Sequence, residues 1–277
     1  MGNMAIEAKA QDINFITKFE ASIQPLLDVL GKTSVQTLAA GAAYKIYQTS
    51  GTIGTGEVAE KALIPDAGIE IGEPTVLELT YQKYRNLTGI ETIGKVGYEL
   101  AVGKTNDDML RQIQKKIRET IYAAIATGTG TGTGATFQAA IAKAAEKVAV
   151  KFEGEVATPV FFVNPTNLYD YLGAHNVTLE SSFGMSYLEN FMGIGNVIAD
   201  SNVAAGTVIG TATENLTVLA PELPNVPGMA MTKDASGLVA VHNDPVYENA
   251  AVQTVAYCGL CVHPVFLDRI FKVTIGA

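Results

Sequence analysis

The chain has 277 residues, 48% hydrophobic and 17% charged, with 19 Lys and Arg against 28 Asp and Glu for a net charge of −9. That length holds one large domain or about two ordinary ones, and the acidic balance argues against a dedicated nucleic-acid binder while leaving room for a local basic face. Two cysteines build no disulfide framework, no apolar run approaches the ~18 residues of a membrane span, and Met1–Ala10 carries Glu7 and Lys9 in place of an apolar signal segment.

The expectation is a soluble protein of a reducing cytoplasm, or of a particle assembled there. The low charge points to surface covered by other copies of the chain. A compact monomer coated in Gly, Thr and Ala is the other reading.

Phe15, Phe19, Ile23, Leu26, Leu27 and Leu30 recur at helical spacing over Asn14–Leu30. Pro25 is expected to kink or split this helix, since it lacks an N–H and its ring meets the preceding turn. Such an amphipathic arm lies either against a neighbour or on the chain's own core. Ala43–Thr49 and Val76–Leu87 alternate like strands, the latter with Leu77, Leu79 and Tyr81 on one face. Between them, Ser50–Thr75 carries Gly51, Gly54, Gly56, Gly68, Gly72, Pro65 and Pro74, and no aromatic residue. A loop this long is uncommon inside a compact domain. It reads as an extended two-stranded flap, which is hard to stabilise alone and makes sense lying on a neighbour.

The strongest helix falls within Tyr98–Thr127. Thr105 is its expected N-cap, with Asp107 and Asp108 in the first turn. Met109, Ile113, Ile117, Ile121, Ala124 and Ile125 form an apolar stripe, and Arg111, Lys115, Lys116, Arg118 and Glu119 take the other faces. About 20 residues at 1.5 Å each make a rod of roughly 30 Å. Gly128–Gly134 alternates Gly with Thr and reads as a flexible connector.

A second helix is expected over Phe137–Val148, and Pro159–Val163 is a buried strand pattern. Pro165 suits the first turn of a helix reaching Leu172. Phe183–Met192 reads as another short helix. Val197–Ala199, Thr207–Gly210 and Leu216–Ala220 read as strands, followed by a rigid connection at Pro221, Pro224 and Pro227. Gly237–His242 and Val252–Ile275 return as strands, interrupted at Asn243–Pro245 and at Pro264. The class is α+β.

Three fragments imitate chemical motifs. Gly89–Val96 is one residue short of a phosphate loop and has Val96 where a hydroxyl must reach Mg²⁺, while Gly103-Lys104-Thr105 has Tyr98 in place of the first glycine. Gly130-x-Gly132-x-x-Ala135 follows a helix, whereas a dinucleotide loop follows a strand. Cys258-Gly-Leu-Cys261-Val-His263 offers too few zinc ligands, and in a strand Cys258 faces away from Cys261 and His263. The histidines His175, His242 and His263 stand in no recognisable motif. No catalytic, cofactor-binding or metal-binding residue is expected.

The order of parts is an amphipathic arm, a Gly-rich flap between strands, a long helix with basic residues, a mixed α/β region and a returning C-terminal strand. This order resembles the major capsid proteins of tailed bacteriophages with the Hong Kong 97 fold. The segment Cys261–Ile270 is similar to the C-terminal strand region of such proteins. The resemblance implies an N-terminal arm over 1–42, an extended loop over 43–88, a peripheral domain from 89–136 and 241–277 with a spine helix over 105–127, and an axial domain over 137–240. It implies a structural, non-enzymatic protein that forms pentamers and hexamers of an icosahedral or prolate head. The implied partners are other copies, a separate scaffolding protein, a portal and packaged double-stranded DNA bound without sequence preference, with no membrane. The implied location is the virion, assembled in the host cytoplasm. Glu57, Glu60, Lys61, Asp66, Glu70 and Glu73 of the flap are candidate inter-subunit contacts, as are Arg111, Lys115, Lys116 and Arg118 of the helix. Some family members join Lys to Asn covalently; no acceptor for Lys61 is identifiable, and no cross-link is expected. An encapsulin-type shell around cargo enzymes and a soluble α+β enzyme or binding module are the alternatives.

Overall fold

The computed structural model describes residues 2–31, 35–39, 41–47, 49–51, 56–64, 66, 68–153, 155–175, 179–182, 185–223 and 230–276. Of the residues singled out above, Gly54, Pro65, Phe183, Pro224 and Pro227 lie outside this set.

In chain order the elements are α1 (Gly2–Val29), β1 (Gln36–Ala39), β2 (Ala43–Ile46), β3 (Thr49–Ser50), β4 (Glu70–Ile71), β5 (Thr75–Glu78) and β6 (Gln82–Gly89). Then come α2 (Ile90–Val96), α3 (Tyr98–Ile125), β7 (Gly130–Gly134), α4 (Phe137–Lys151), β8 (Pro159–Val163) and α5 (Pro165–Ala174). They continue with β9 (Glu180–Ser182), β10 (Met185–Phe191), β11 (Gly195–Ala199), β12 (Thr207–Ala212) and β13 (Leu216–Glu222). The last are β14 (Thr232–Lys233), β15 (Val239–Val246), β16 (Ala251–Cys258), β17 (Cys261–Pro264) and β18 (Phe271–Ile275). The mixture is α+β. A seven-stranded sheet runs β7-β18-β12-β8-β11-β10-β9, a four-stranded one β14-β15-β16-β6 and a three-stranded one β1-β13-β17; β2-β5 and β3-β4 pair two by two.

The seven-stranded sheet is covered on both faces, which is why β8 reads as an unbroken apolar run. Phe161 and Val163 join Ile141, Ala144 and Val148 of α4 in one core. Val160 and Phe162 point the other way, into a larger core with Tyr122 of α3 and with α1. The Phe162 ring meets Tyr122 edge-on at 5.6 Å.

Helix α1 packs on the chain's own core: Phe15, Phe19, Ile23, Leu26, Leu27 and Leu30 are all buried. This settles the two readings of the arm. The helix also runs unbroken through position 25. Apolar anchors lie on both sides of Pro25, and their burial outweighs one lost backbone hydrogen bond.

The long helix starts earlier than its cap signal indicates. Gly97, at φ +90°, ends α2 and precedes α3, and Ala101 and Val102 are buried in the added turns. Thr105 is therefore interior; its hydroxyl donates back to the carbonyls of Ala101 and Val102 at 3.2 and 3.0 Å. The capping expectation fails because a Thr can satisfy itself within a helix as well as at its start. The caps of α4 and α5 do form. Thr136 Oγ1 accepts from Ala139 N at 3.2 Å, and Asn164 Oδ1 from Thr166 N at 2.9 Å.

The Gly-Thr repeat is a strand, not a connector. β7 pairs in parallel with β18, Gly130 opposite Phe271 and Gly134 opposite Ile275. Its glycines are needed for close approach: a Cβ on Gly130 would lie 2.3 Å from the Phe271 ring, and one on Gly134 would lie 2.5 Å from the Ala140 backbone. Sequence bias alone cannot distinguish such packing from flexibility.

Three further expectations change. Residues 185–191 form strand β10, not a helix, because they pair antiparallel with both β9 and β11. Asn243–Pro245 continues β15 opposite β16, at a stretch where the outward residues Asp244 and Pro245 are exposed. Pro221 belongs to β13, where it pairs with Leu38 of β1. The run Val76–Leu87 also divides, β5 into a ribbon and β6 into the four-stranded sheet, with buried Leu79 at the junction.

Candidate interaction surface

Strands β2 and β5 form one antiparallel ladder, and β3 and β4 extend it outward. The flap is thus a two-stranded ribbon. Its base is fastened: Ile46 and Leu79 are buried, Gly41 N donates to Leu79 O at 3.3 Å, and the Tyr81 hydroxyl donates to Glu222 O. Beyond the base the ribbon leaves its apolar residues in water. Leu63 is 93% exposed, Ile64 79% and Ile71 70%, and Tyr47, Ile69 and Val76 are exposed by half or more. Glu57, Glu60, Asp66, Glu70 and Glu73 are exposed among them, and none makes an ion pair with a described residue. Lys61, also exposed, sits at φ +66° in the turn region of the ribbon.

The cations of α3 are not one stripe. Arg111 meets Asp108 at 2.8 Å, and Lys116 and Lys115 share Glu119 at 2.6 and 4.0 Å. The hydrogen bonds from Arg111 and Lys116 hold the carboxyls of Asp108 and Glu119 below the usual range. These pairs are exposed, and solvent screening keeps them weak. Arg118 turns inward instead, its Nη1 2.9 Å from Asp200 Oδ2. The structure does not bring these cations to the same chain's ribbon acids.

A second basic face was not signalled as a site. Lys83, Arg85 and Leu87 are exposed on β6, alternating with the less exposed Tyr84, Asn86 and Thr88. On β16 their partners are Tyr257, Val255 and Gln253, and Arg85 Nε donates to Gln253 Oε1 at 3.1 Å. The face is apolar and basic, whereas the ribbon is apolar and acidic. Period-two alternation in the sequence carried this signal, but only a paired strand gives it a direction.

Gly94-Lys95 and Gly103-Lys104 lie inside helices α2 and α3, where no phosphate loop forms. Cys258 ends β16 and is buried, while Cys261 and His263 share the half-buried face of β17. Burial pushes the Cys258 thiol up to about 12 and lowers the His263 imidazole. Among the described residues no cluster of His, Cys, Asp and Glu is fit to hold a metal.

The chain has a Hong Kong 97-like capsid fold, the fold of phage and encapsulin shells. It is similar to the virus-like particle protein of Pyrococcus furiosus at TM-score 0.57 and 12% identity, over 96% of this chain and 98% of that one. It is similar to the cyanophage A-1(L) capsid at TM-score 0.58 and 12% identity, over 92% and 93%. The encapsulin complex of Synechococcus elongatus PCC 7942 aligns at TM-score 0.56 and 12% identity, over 92% and 88%. No protein-family model and no curated protein matches the sequence.

Proposed function

We propose that this chain is the major capsid protein of a tailed bacteriophage, a building block of a closed shell around double-stranded DNA. The observation that carries the reading is the ribbon, a capsid-fold feature whose large apolar residues have nothing to cover them in one copy. Apolar surface of this kind marks an interaction site, and covering it returns about 25 cal/mol per Å². The ribbon of one copy lies on the body of the next. Lys83, Arg85, Leu87, Val255 and Tyr257 supply a face of matching character. Glu57, Glu60, Lys61, Asp66, Glu70 and Glu73 of the ribbon are contacts between copies, as are Arg111, Lys115 and Lys116 of α3; Arg118, held by Asp200, supports the same helix from within.

Repetition around closed symmetry turns weak contacts into a stable whole. The copies gather into pentamers and hexamers. In this reading residues 1–42 are the arm, 43–88 the extended loop, 89–136 with 241–277 the peripheral domain, and 137–240 the axial domain. A separate scaffolding protein and a portal complete assembly in the host cytoplasm. No helix among the described residues is long and apolar enough to cross a membrane. An encapsulin-type shell is the second reading, supported by the Synechococcus likeness.

Light scattering behind size-exclusion chromatography, followed by negative-stain microscopy, tests both readings. Megadalton spheres or ring-shaped capsomers are expected, from the chain alone or with its scaffold. Nucleic acid inside favours the phage head and a co-purified enzyme favours the compartment. A monomer under both conditions overturns the shell.

A further inference from the structure

The first turns of α1 are held to the body differently from the rest. From Phe15 onward the helix is anchored by buried apolar side chains, whereas between Glu7 and Asn14 the one buried side chain is Asp12. The ties of that stretch are polar. Asp12 Oδ1 accepts from Asn243 Nδ2 at 2.7 Å, Oδ2 accepts from the Thr232 hydroxyl at 3.2 Å, and Lys9 Nζ donates to Thr232 Oγ1 at 2.8 Å. His242 Nδ1, buried and without a hydrogen-bond partner among the described residues, stands 3.8 Å from Asp12 Oδ2. The Thr254 hydroxyl continues the chain of contacts inward, 2.6 Å from Asn243 Oδ1 and 2.8 Å from Asn106 Oδ1. Beside this network lies a cavity of about 360 Å³ lined by Lys9, Tyr98, Asp244 and Tyr247 among others, which gives water and protons a way in.

We propose that Asp12 is a proton-operated latch: one proton taken up by its carboxyl fastens the first turns of α1 to β14 and β15, and its loss frees them. A buried carboxylate without a charged hydrogen-bond partner is costly. A proton on Asp12 removes the charge. Burial is the main cause that raises the Asp12 carboxyl above its ordinary range, against the hydrogen bond from Asn243 and the charge on His242. A carboxyl raised in the docked state binds its proton more tightly there. Docking is therefore strongest at low pH and weakens as pH rises through the docked value.

Among the described residues, Lys9 on the same helix partly screens the carboxylate, while Glu7 on that helix and Asp244 on β15 oppose it. Lys233 on β14 is turned to the Leu223 carbonyl at 2.8 Å. Tyr98 and Tyr247 bring phenols. Freed, the segment 2–14 becomes a movable arm while Phe15 to Leu30 stay packed.

Amide hydrogen exchange on the full chain at pH 4 and 7.5, corrected for the intrinsic rate, tests the latch, because the loss begins at the ordinary carboxyl value of 3.8. Protection of residues 7–14 is expected to drop several-fold at the higher pH, while that of Ile113–Ile125 holds. Asp12→Asn should abolish the difference, and His242→Gln, which removes a charge that holds the carboxyl down, should move the transition to higher pH. A wild-type segment equally protected at both values overturns the latch, as does an unchanged profile in Asp12→Asn. If Asp12→Asn does not fold, an unchanged profile in His242→Gln overturns it instead.

Discussion

Arg118 of α3 and Asp200, just beyond β11, form an ion pair at 2.9 Å in which the carboxylate side chain has no exposed surface. Asp200 Oδ1 also accepts from the Asn202 backbone and side chain at 2.9 and 2.7 Å. The pair joins the long helix to the end of the seven-stranded sheet. Breaking a buried pair from one side leaves an uncompensated charge and costs ~3–5 kcal/mol. Asp200→Ala is expected to lower stability by about that much in urea melts. Asp200→Asn, which still accepts a hydrogen bond, should cost clearly less.

The β7 glycines give a sharp contrast within one strand. A methyl group at Gly134 meets Ala140 backbone atoms at 2.5 Å, and backbone cannot step aside as a side chain can. Gly134→Ala is expected to cost ~1–3 kcal/mol or more by overpacking. Thr131→Ala and Thr133→Ala, at exposed positions, should stay within ~0.5 kcal/mol. Thermal melts of the three variants suffice. Equal losses would mean that the strand does not pack as described.

The ribbon separates stability from assembly. Leu63→Ser with Ile64→Ser should leave the melt of the single chain unchanged within ~0.5 kcal/mol and abolish particles in negative stain. Charge reversal at Lys115 and Lys116 should impair assembly as well. Reversal of Lys83 and Arg85 should do so and be relieved by reversing Glu70 and Glu73. Normal particles from all of these variants would remove the ribbon and the basic faces from the contacts.

At high pH a buried thiol and a half-buried phenol act together. Burial raises the Cys258 thiol from 9.0 to about 12 and the Tyr84 phenol from 10.0 to about 12. Both stay neutral in the fold and ionise more easily unfolded. Their stabilising effect is complete below about 9 and is lost as pH climbs towards 12. Urea midpoints should fall across that window, less steeply in Cys258→Ala. Iodoacetamide at pH 8 should leave Cys258 unlabelled until the chain is unfolded, because the thiolate is the reacting species.

Much of this architecture was legible in the residues. The stripe from Phe15 to Leu30, the stripe from Met109 to Ile125, the strand Pro159–Val163 and the flap all follow from period and from Gly and Pro placement. What misled was local chemistry overruled by tertiary contacts. Thr105 carries a capping signal that the buried Ala101 and Val102 override, and Gly128–Gly134 has the composition of a linker but the role of a spacer for Phe271 and Ala140. Residues 185–191 become a strand only because β9 and β11 flank them. Of the candidate interaction surface, the exposed acids were readable. The inward turn of Arg118 and the β6 face depend on a fold that brings distant segments together.

The pairing of β7 with β18 has a bearing on biosynthesis. A strand made near the middle of the chain must wait for residues 271–275 before it and β12 acquire the neighbour that lies between them. Pairings this far apart in sequence form slowly. Meanwhile the ribbon, complete by residue 78, already displays Leu63 and Ile64. Each newly made copy therefore passes through an interval in which it is adhesive before it is shaped. Crowded synthesis would favour a chaperone that occupies the ribbon during that interval.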